Sequence, residues 1–353
     1  MPEGLLVEIK KLKEKVKKAN LPPVLVEKVE EMIERLVRMA KFGGYSAEYE
    51  RVSHYVEWIT ALPWIEKTED VLDLKKTKEI LDRNHYNLED IKERILEYLA
   101  VLKLRRQRSE TGDQRSTLRA PILCLVGLVG TGKTTLSFSI AEAIGRKFVR
   151  IPFGGMGSAL DLRGQSRLHP EAEPGQIIKV LKRCGTKNPV ILLDEIDRVS
   201  ENARSDIMGV LIELLDPEQN VAFTDYFVDY PFDLSEVLFI VTCNNTTNIS
   251  TPVLDRLEPL QMPSYADEEK IVIGRDYVLP RVLEECGLSK EDVEIDSDVW
   301  LRIVRPLGYD AGVRTLERTV KGICRKIAKM IIEEKGKHFS ITANNIEEYL
   351  PKW

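Results

Sequence analysis

Gly127-Leu128-Val129-Gly130-Thr131-Gly132-Lys133-Thr134-Thr135 is the stretch on which the reading of the chain turns. It follows the apolar run Ile122-Leu123-Cys124-Leu125-Val126 and precedes a helix-like segment, Leu136 to Ile144. The order is strand, glycine-rich turn, helix start, and the residues fit G-x-x-x-x-G-K-[ST]. Glycine lets the backbone close around a phosphate, because a Cβ would disfavour the positive φ values required. The exposed N–H groups and the helix N-terminus then face an anion. Lys133 supplies positive charge to the β- and γ-phosphates, and the Thr134 hydroxyl suits Mg²⁺. Gly127, Gly130, Thr131, Gly132, Lys133, Thr134 and Thr135 are thus expected to bind ATP. The plainer alternative is a glycine-rich turn that happens to carry a lysine.

Outward from this stretch, apolar runs alternate with helical patterns from Pro121 to about Ser264: Ile122–Val126, Phe148–Ile151, Val190–Leu193, Val237–Thr242 and Leu260–Met262. Such alternation predicts an α/β domain with a doubly wound parallel sheet covered on both faces. After Asp267 the chain reads as helical to its end, a smaller C-terminal lid. Residues 1 to about 60 read as charged helices. Leu5, Ile9, Leu12 and Val16 form one apolar stripe, and Val26, Val29, Ile33 and Leu36 a second. Asn20-Leu21-Pro22-Pro23 separates them, and Gly43-Gly44 ends the second. A stripe of this kind is either an oligomerising seam or a helical hairpin closing on itself. Val52, Tyr55, Val56 and Ile59 mark a third helix, followed by two more around Leu74–Leu81 and Leu88–Leu102. Lys103 to Arg119 lacks apolar periodicity and reads as a basic linker loop, either solvated or touching nucleic acid. The expected division is 1–118 for helical neck and linker, 119–266 for the α/β nucleotide-binding domain, and 267–353 for the lid.

The whole chain sets bounds. Its 353 residues suggest two or three domains. Charged residues make up 31% and hydrophobic ones 43%, an ordinary soluble composition. A net charge of −5 gives no global attraction to nucleic acid or to an anionic membrane. The 5 cysteines form no C-x-x-C pair, so neither a disulfide framework nor a zinc site is indicated. Cys124 and Cys243 fall in apolar strands and read as small core residues. No apolar run is long enough to span a bilayer. A reducing compartment, the cytoplasm or an organelle matrix, is the simplest expectation.

Further residues carry chemistry. Val190-Ile191-Leu192-Leu193 runs into Asp194-Glu195-Ile196-Asp197, which puts two carboxylates at the carboxyl end of a buried strand, where open α/β sheets bind ligands. Asp194 suits the Mg²⁺ water shell, and Glu195 can polarise a water for in-line attack on the γ-phosphate. The strand Val237–Thr242 leads into Cys243-Asn244-Asn245, where an amide can orient that water or simply make a turn. His85-Tyr86 can stack on an adenine ring or cap and pack a helix. Arg314 opens a helix after Ala311-Gly312-Val313; it either folds over the nucleotide or lies exposed in solvent.

These residues together resemble the ATPase module of the Lon family of ATP-dependent proteases, within the AAA+ class. The strings that carry the resemblance are Gly185-Thr186-Lys187-Asn188-Pro189 before the acidic motif, Leu214-Leu215-Asp216-Pro217-Glu218-Gln219-Asn220, Asp233-Leu234-Ser235, and Ala311-Gly312-Val313-Arg314. Upstream, Trp58 through Leu62-Pro63-Trp64, His85-Tyr86 and Ile95 to Val101 look like the family's helical neck. The resemblance implies that Asn244, with Asn245 as rival, is the first sensor, Arg256 an arginine finger and Arg314 the second sensor. It implies an adenine pocket lined by His85, Tyr86 and Tyr277. It also implies six-membered homo-oligomeric rings that thread unfolded polypeptide through a central pore toward a protease domain. DNA as a partner rests only on the Arg105–Arg119 stretch and on this analogy; no membrane partner is expected.

Three departures from the family pattern bear on function. The sequence stops at Trp353, near where a serine–lysine protease domain would begin, so no peptide cleavage by that dyad is expected of this chain. In Leu162-Arg163-Gly164-Gln165-Ser166-Arg167-Leu168-His169-Pro170, His169-Pro170 stands where the family places an aromatic–aliphatic pair, which implies lost threading or an altered substrate preference. Phe153 and Met156 nearby either compensate or pack in the core. Leu128-Val129 replaces two prolines in the phosphate loop without touching its glycines or lysine. The expected function is an ATP-hydrolysing ring motor that unfolds polypeptide; the alternative is a non-proteolytic nucleotide switch that assembles with a partner protein.

Overall fold

A computed structural model describes residues 3–41, 47–110, 122–169, 171–305 and 310–351. In chain order the helices are α1 (Glu3–Lys18), α2 (Pro23–Lys41), α3 (Ala47–Thr60), α4 (Leu74–Asn84), α5 (Glu89–Glu110), α6 (Lys133–Ile144), α7 (Leu160–Arg163), α8 (Gln176–Cys184), α9 (Arg204–Leu215), α10 (Thr251–Leu254), α11 (Asp267–Val272), α12 (Leu279–Glu285), α13 (Trp300–Val304), α14 (Arg314–Ile332) and α15 (Ile346–Tyr349). The strands are β1 (Ile122–Val126), β2 (Phe148–Pro152), β3 (Val190–Asp194), β4 (Phe223–Thr224), β5 (Pro231–Phe232), β6 (Leu238–Cys243), β7 (Leu257–Gln261), β8 (Val293–Ile295) and β9 (Phe339–Ile341).

The chain divides into two compact units. One comprises Met1–Val71, Arg108–Cys124 and Ile144–Glu258, the other Leu72–Gln107, Leu125–Ala143 and Pro259–Trp353.

The first unit holds the five-stranded parallel sheet, in the order β2-β3-β6-β1-β7; β1 and β7 run on into the second unit at their carboxyl ends. Register is fixed by apolar strands buried along their length, with Leu192 opposite Ile240 and Leu193 opposite Val241. The order makes β1 a switch point. The chain leaves it toward the β2 side and later returns to lay β7 on its other flank, and such a point is where open α/β sheets bind ligands. Helices α1, α2 and α3 pack on one another, with Ile9, Leu12, Val16, Val29, Ile33, Val52, Tyr55, Val56 and Ile59 all buried. The stripes therefore close as a hairpin inside the chain, which removes the oligomerising-seam reading. Val26, one of the residues of the second stripe, is only half-buried, and Leu25 takes the buried position beside it. Arg146 grips Asp70 through two bonds of 2.7 Å, and Asn188 takes the Thr68 N–H at 2.9 Å, so the segment after α3 is fastened to the edge of the sheet domain.

In the second unit Trp300, 1% exposed, anchors the lid core against Gly274, where an added Cβ would lie 2.7 Å from the indole. Gly274 belongs to a π-helical segment, Ile273–Val278, that joins α11 to α12. Two sequence expectations need correction. The lid is not wholly helical, because β8 and β9 pair in parallel from Val293↔Phe339 to Ile295↔Ile341. Three-residue strands are too short to show a period of two. The supposed linker begins later than Lys103, since α5 continues to Glu110. Arg, Gln, Lys and Glu are good helix formers, so the loss of apolar spacing there did not mark the end of the helix. Residues 111–119 and Gly43-Gly44 lie outside the described residues.

Candidate functional site

The glycine-rich stretch is built in the second unit. After β1 the backbone turns through Gly130 at φ 87° and Gly132 at φ 94°, values that L side chains seldom adopt, and α6 begins at Lys133. Lys133 is 7% exposed, and its Nζ donates to the carbonyls of Gly127 (2.6 Å) and Leu128 (3.0 Å). Thr131 is buried and donates to Leu128 O at 2.9 Å. Thr134 and Thr135 are exposed; Thr135 Oγ1 donates to Gly132 O at 2.8 Å. Gly127 serves close approach: a Cβ on it would lie 2.8 Å from Met262 Cβ, and the Met262 N–H donates to Val126 O at 2.7 Å. Nothing in the sequence marked Met262.

The start of α14 lies on this loop. The Val313 N–H donates to Gly130 O at 2.9 Å, and a Cβ on Gly312 would come within 2.5 Å of the Gly130 carbonyl carbon. Arg314, the first residue of α14, follows with an exposed side chain. In the same unit His85 is 8% exposed and its Nε2 lies 2.9 Å from Ser139 Oγ of α6, so the histidine is fixed to the helix that the loop begins. Burial, and secondly the charge of Lys92, pushes the imidazole pKa down to about 4, which leaves the ring neutral near pH 7. The Tyr86 and Tyr277 rings meet edge to face at 6.2 Å, and the Tyr277 hydroxyl donates to Asp82 O at 3.4 Å. The second unit thus brings together the phosphate loop, His85, Tyr86, Tyr277 and Arg314. Ser139 and Lys92 were missed, because a serine within a helix and a lysine among acidic neighbours carry no distinguishing signal.

The carboxylates are built in the first unit. Asp194 ends β3 at 4% exposure. Its Oδ2 accepts from Arg150 Nε at 2.5 Å, and its Oδ1 accepts from the Thr242 hydroxyl. Glu195 sits in the left-handed region at φ 57° and ψ 50°, and its N–H donates to Thr242 Oγ1 at 2.9 Å. Its carboxylate lies 3.8 Å from Arg198 Nη1. Asp197 Oδ2 accepts from the backbone N–H of Asn244 (3.1 Å) and from its side-chain amide (3.5 Å). Asn245 is exposed and its Oδ1 accepts the Thr247 N–H at 3.1 Å, a local turn. Asp194, Glu195 and Asn244 are therefore gathered at the ends of β3 and β6. Arg256 donates Nη2 to Asp216 Oδ2 at 2.6 Å and Nη1 to Pro252 O at 2.7 Å. Arg150 and Thr242 were not singled out by sequence reasoning.

In the segment 162–169, Arg163 pairs with Glu213 and faces the Phe223 and Tyr226 rings at 5.8 and 5.7 Å. Arg167 lies over the Tyr55 ring at 3.9 Å and donates to Asp229 at 3.3 Å. Leu168 is 87% exposed, and His169 is exposed beside it. Pro170 lies outside the described residues. Phe153 and Met156 are buried, so both pack in the core and neither compensates for His169. Cys124 and Cys243 are buried core residues with sulfurs 3.8 Å apart. Among the described residues no group of three His, Cys, Asp or Glu side chains could hold a metal, and no helix is long and apolar enough to cross a membrane.

The second unit offers a helix start suited to an anion and a pair of aromatic rings, and the first unit presents carboxylates at a strand end. The model of the ATPase family associated with various cellular activities (AAA) matches residues 123–264, and the model of the Lon protease AAA+ ATPase lid domain matches 284–339. The chain is 44% identical over 345 residues to Lon protease 2 of Thermus thermophilus, covering 97% of this chain and 42% of that protein. It is 42% identical over 350 residues to Lon protease 1 of Bacillus subtilis, covering 99% and 44%. The Lon protease of Heliobacterium modesticaldum is 44% identical over 339 residues, covering 96% and 40%. The chain thus spans less than half the length of these relatives.

Proposed function

From the premise that this chain is an AAA ATPase module of the Lon type, an ATP-hydrolysing enzyme with a Lon-type lid, we propose that it turns over ATP in a homo-oligomeric, six-membered ring and uses the turnover to unfold and move polypeptide toward a protease domain. The observation that carries this reading is the phosphate loop, with left-handed Gly130 and Gly132 at the start of α6 and the α14 start bonded to it. The residues fit ATP with Mg²⁺: a loop whose Gly130 and Gly132 take positive φ at a helix start, a buried lysine, and an exposed Thr134 hydroxyl. Bound Mg²⁺ would neutralise phosphate charge, with Thr134 and Asp194 to hold it. Three parts follow, the neck and linker (1–118), the α/β domain (119–266) and the lid (267–353).

In this reading Gly127 to Thr135 hold the phosphates and Lys133 neutralises them. Glu195 takes the proton of the attacking water and Asn244 orients that water. Asn244 is favoured over Asn245 because its amide points back to buried Asp197, whereas Asn245 is spent on its own turn. Arg256 acts on the transition-state charge of a neighbouring subunit's nucleotide, and Arg314 acts from the lid. His85, Tyr86 and Tyr277 take the adenine; a neutral His85 can pack against a base without the cost of a buried charge.

A second reading, a nucleotide switch that assembles with a partner protein, is favoured by the bonds of Arg256 within its own chain and by His169-Pro170 standing where the family places an aromatic–aliphatic pair. Turnover measurements separate the two. Glu195→Gln should keep ATP bound and stop phosphate release. An unfolded protein such as casein should stimulate wild-type turnover under the motor reading and leave it unchanged under the switch reading. Unaltered phosphate release by Glu195→Gln would remove Glu195 from its role.

A further inference from the structure

We infer that Thr242 is a positioning residue for ATP hydrolysis: its single hydroxyl holds Glu195 in the turn that aims the carboxylate. The inference rests on the reading of Glu195 as the base and deepens it. Thr242 lies near the end of β6, a strand otherwise made of Leu, Phe, Ile, Val and Cys, and is 0% exposed. A hydroxyl buried there is costly unless both its donor and its acceptor are used. Both are used, and on consecutive residues of one neighbouring strand end. The hydroxyl donates its proton to Asp194 Oδ1 and accepts the N–H of Glu195 at 2.9 Å. A carboxylate can only accept, so the direction of this N–H to O–H to carboxylate relay is fixed.

The relay matters because of what it restrains. Glu195 is a non-glycine residue at φ 57° and ψ 50°, a conformation unfavourable to an L-residue. Strain of this kind persists only where the surroundings over-determine it. Here the Asp194 carbonyl accepts the Phe153 N–H at 2.9 Å and the Glu195 carbonyl accepts the Arg198 N–H at 2.9 Å. These two bonds pin the peptide oxygens on either side of the bend, and Thr242 pins the amide between them. Gly154 lies beside the carboxylate: a Cβ built on it would sit in ordinary contact, 3.4 Å from Glu195 Oε2. Without the hydroxyl the Glu195 amide loses its partner and the bend can relax toward the right-handed region, turning the carboxylate away while the phosphate loop is untouched.

Thr242→Val removes the hydroxyl and keeps the shape; Thr242→Ser keeps the hydroxyl. The expected result is a fall of at least about tenfold in kcat for the valine variant, with affinity for fluorescent ADP near wild type, and recovery of most of the rate in the serine variant. Should the valine variant not fold, Thr242→Cys, close to serine in size and weak in hydrogen bonding, replaces it, with the same contrast to serine expected. Equal losses in the hydroxyl-bearing and hydroxyl-free variants would assign the effect to packing and overturn the inference, as would wild-type turnover in Thr242→Val. Glu195→Gln, measured alongside, separates the layers. If it hydrolyses normally the underlying role of Glu195 fails, whereas if it is dead and Thr242→Val is fully active only the positioning role fails.

Discussion

Arg256 and Asp216 face each other within one chain, the guanidinium Nη2 donating to the carboxylate at 2.6 Å. The bond holds the Asp216 carboxyl below the usual carboxylate range. An arginine that serves a neighbouring subunit must give up or share this partner, so Asp216 fixes where Arg256 waits. Arg256→Ala is expected to lower turnover on the order of 10³-fold while nucleotide affinity changes little, and to poison wild-type rings when mixed with them. Additive activity in the mixing series would show that no subunit lends its arginine. Asp216→Asn should cost about 1–2 kcal/mol at pH 7. Because the native pKa is depressed, this contribution is complete above about pH 4 and is lost as pH falls through the native value; urea denaturation at pH 7 and pH 3 measures it.

His85 gives a second pH signature, in a different window. Its native pKa of about 4 lies below the unfolded value of 6.5. Between the two only the unfolded chain binds the proton, so stability falls as pH drops from 6.5 toward 4, by up to about 1.4 kcal/mol per pH unit. His85→Gln should flatten that stretch of the stability profile. A profile of unchanged slope would mean that His85 titrates normally in the folded protein.

Gly312 tests the contact between the phosphate loop and the start of α14. A Cβ there would lie 2.5–2.7 Å from three Gly130 backbone atoms, and backbone cannot swing aside as a side chain can. Gly312→Ala should cost about 1–3 kcal/mol and weaken nucleotide binding. Gly209→Ala in α9 meets nothing within 4 Å and should be neutral or stabilising by up to about 1 kcal/mol. Isothermal titration with ADP and urea curves on both variants check the contrast.

Asp229 joins two cations, Lys28 Nζ at 2.6 Å and Arg167 Nη2 at 3.3 Å, and so ties the 162–169 segment to α2. Asn tolerates the φ of 51° at this position, so Asp229→Asn isolates the charge. Global stability should shift by less than about 1 kcal/mol. Chymotryptic cleavage beside exposed Leu168 should accelerate by up to about fivefold, the equivalent of 1 kcal/mol of local opening. Unchanged cleavage would show that the stacking of Arg167 on Tyr55 holds the segment alone.

What the sequence could show depended on whether a signal was local. The phosphate loop was legible because its glycines, lysine and flanking strand are contiguous. The acidic motif was legible because an apolar strand announces its end. Arg150, Thr242 and Met262 were not, since each acts through a neighbour brought close by strand order alone: Arg150 on β2 and Thr242 on β6 flank Asp194 from either side. Asp225 shows the same limit. It is 0% exposed and accepts the N–H groups of Gly175, Phe227 and Val228, yet no local pattern sets this aspartate apart from Asp229 four residues on. The left-handed Glu195 could not be foreseen either, because glutamate has no preference for that region.

The bond from the Val313 amide to the Gly130 carbonyl uses only atoms that every residue except proline possesses. Codon changes at either position alter what hangs from the chain but leave donor and acceptor in place. A tilt of α14 is therefore transmitted to the phosphate cradle through a joint made of main chain alone, and Val313→Pro is the one coded substitution that deletes its donor.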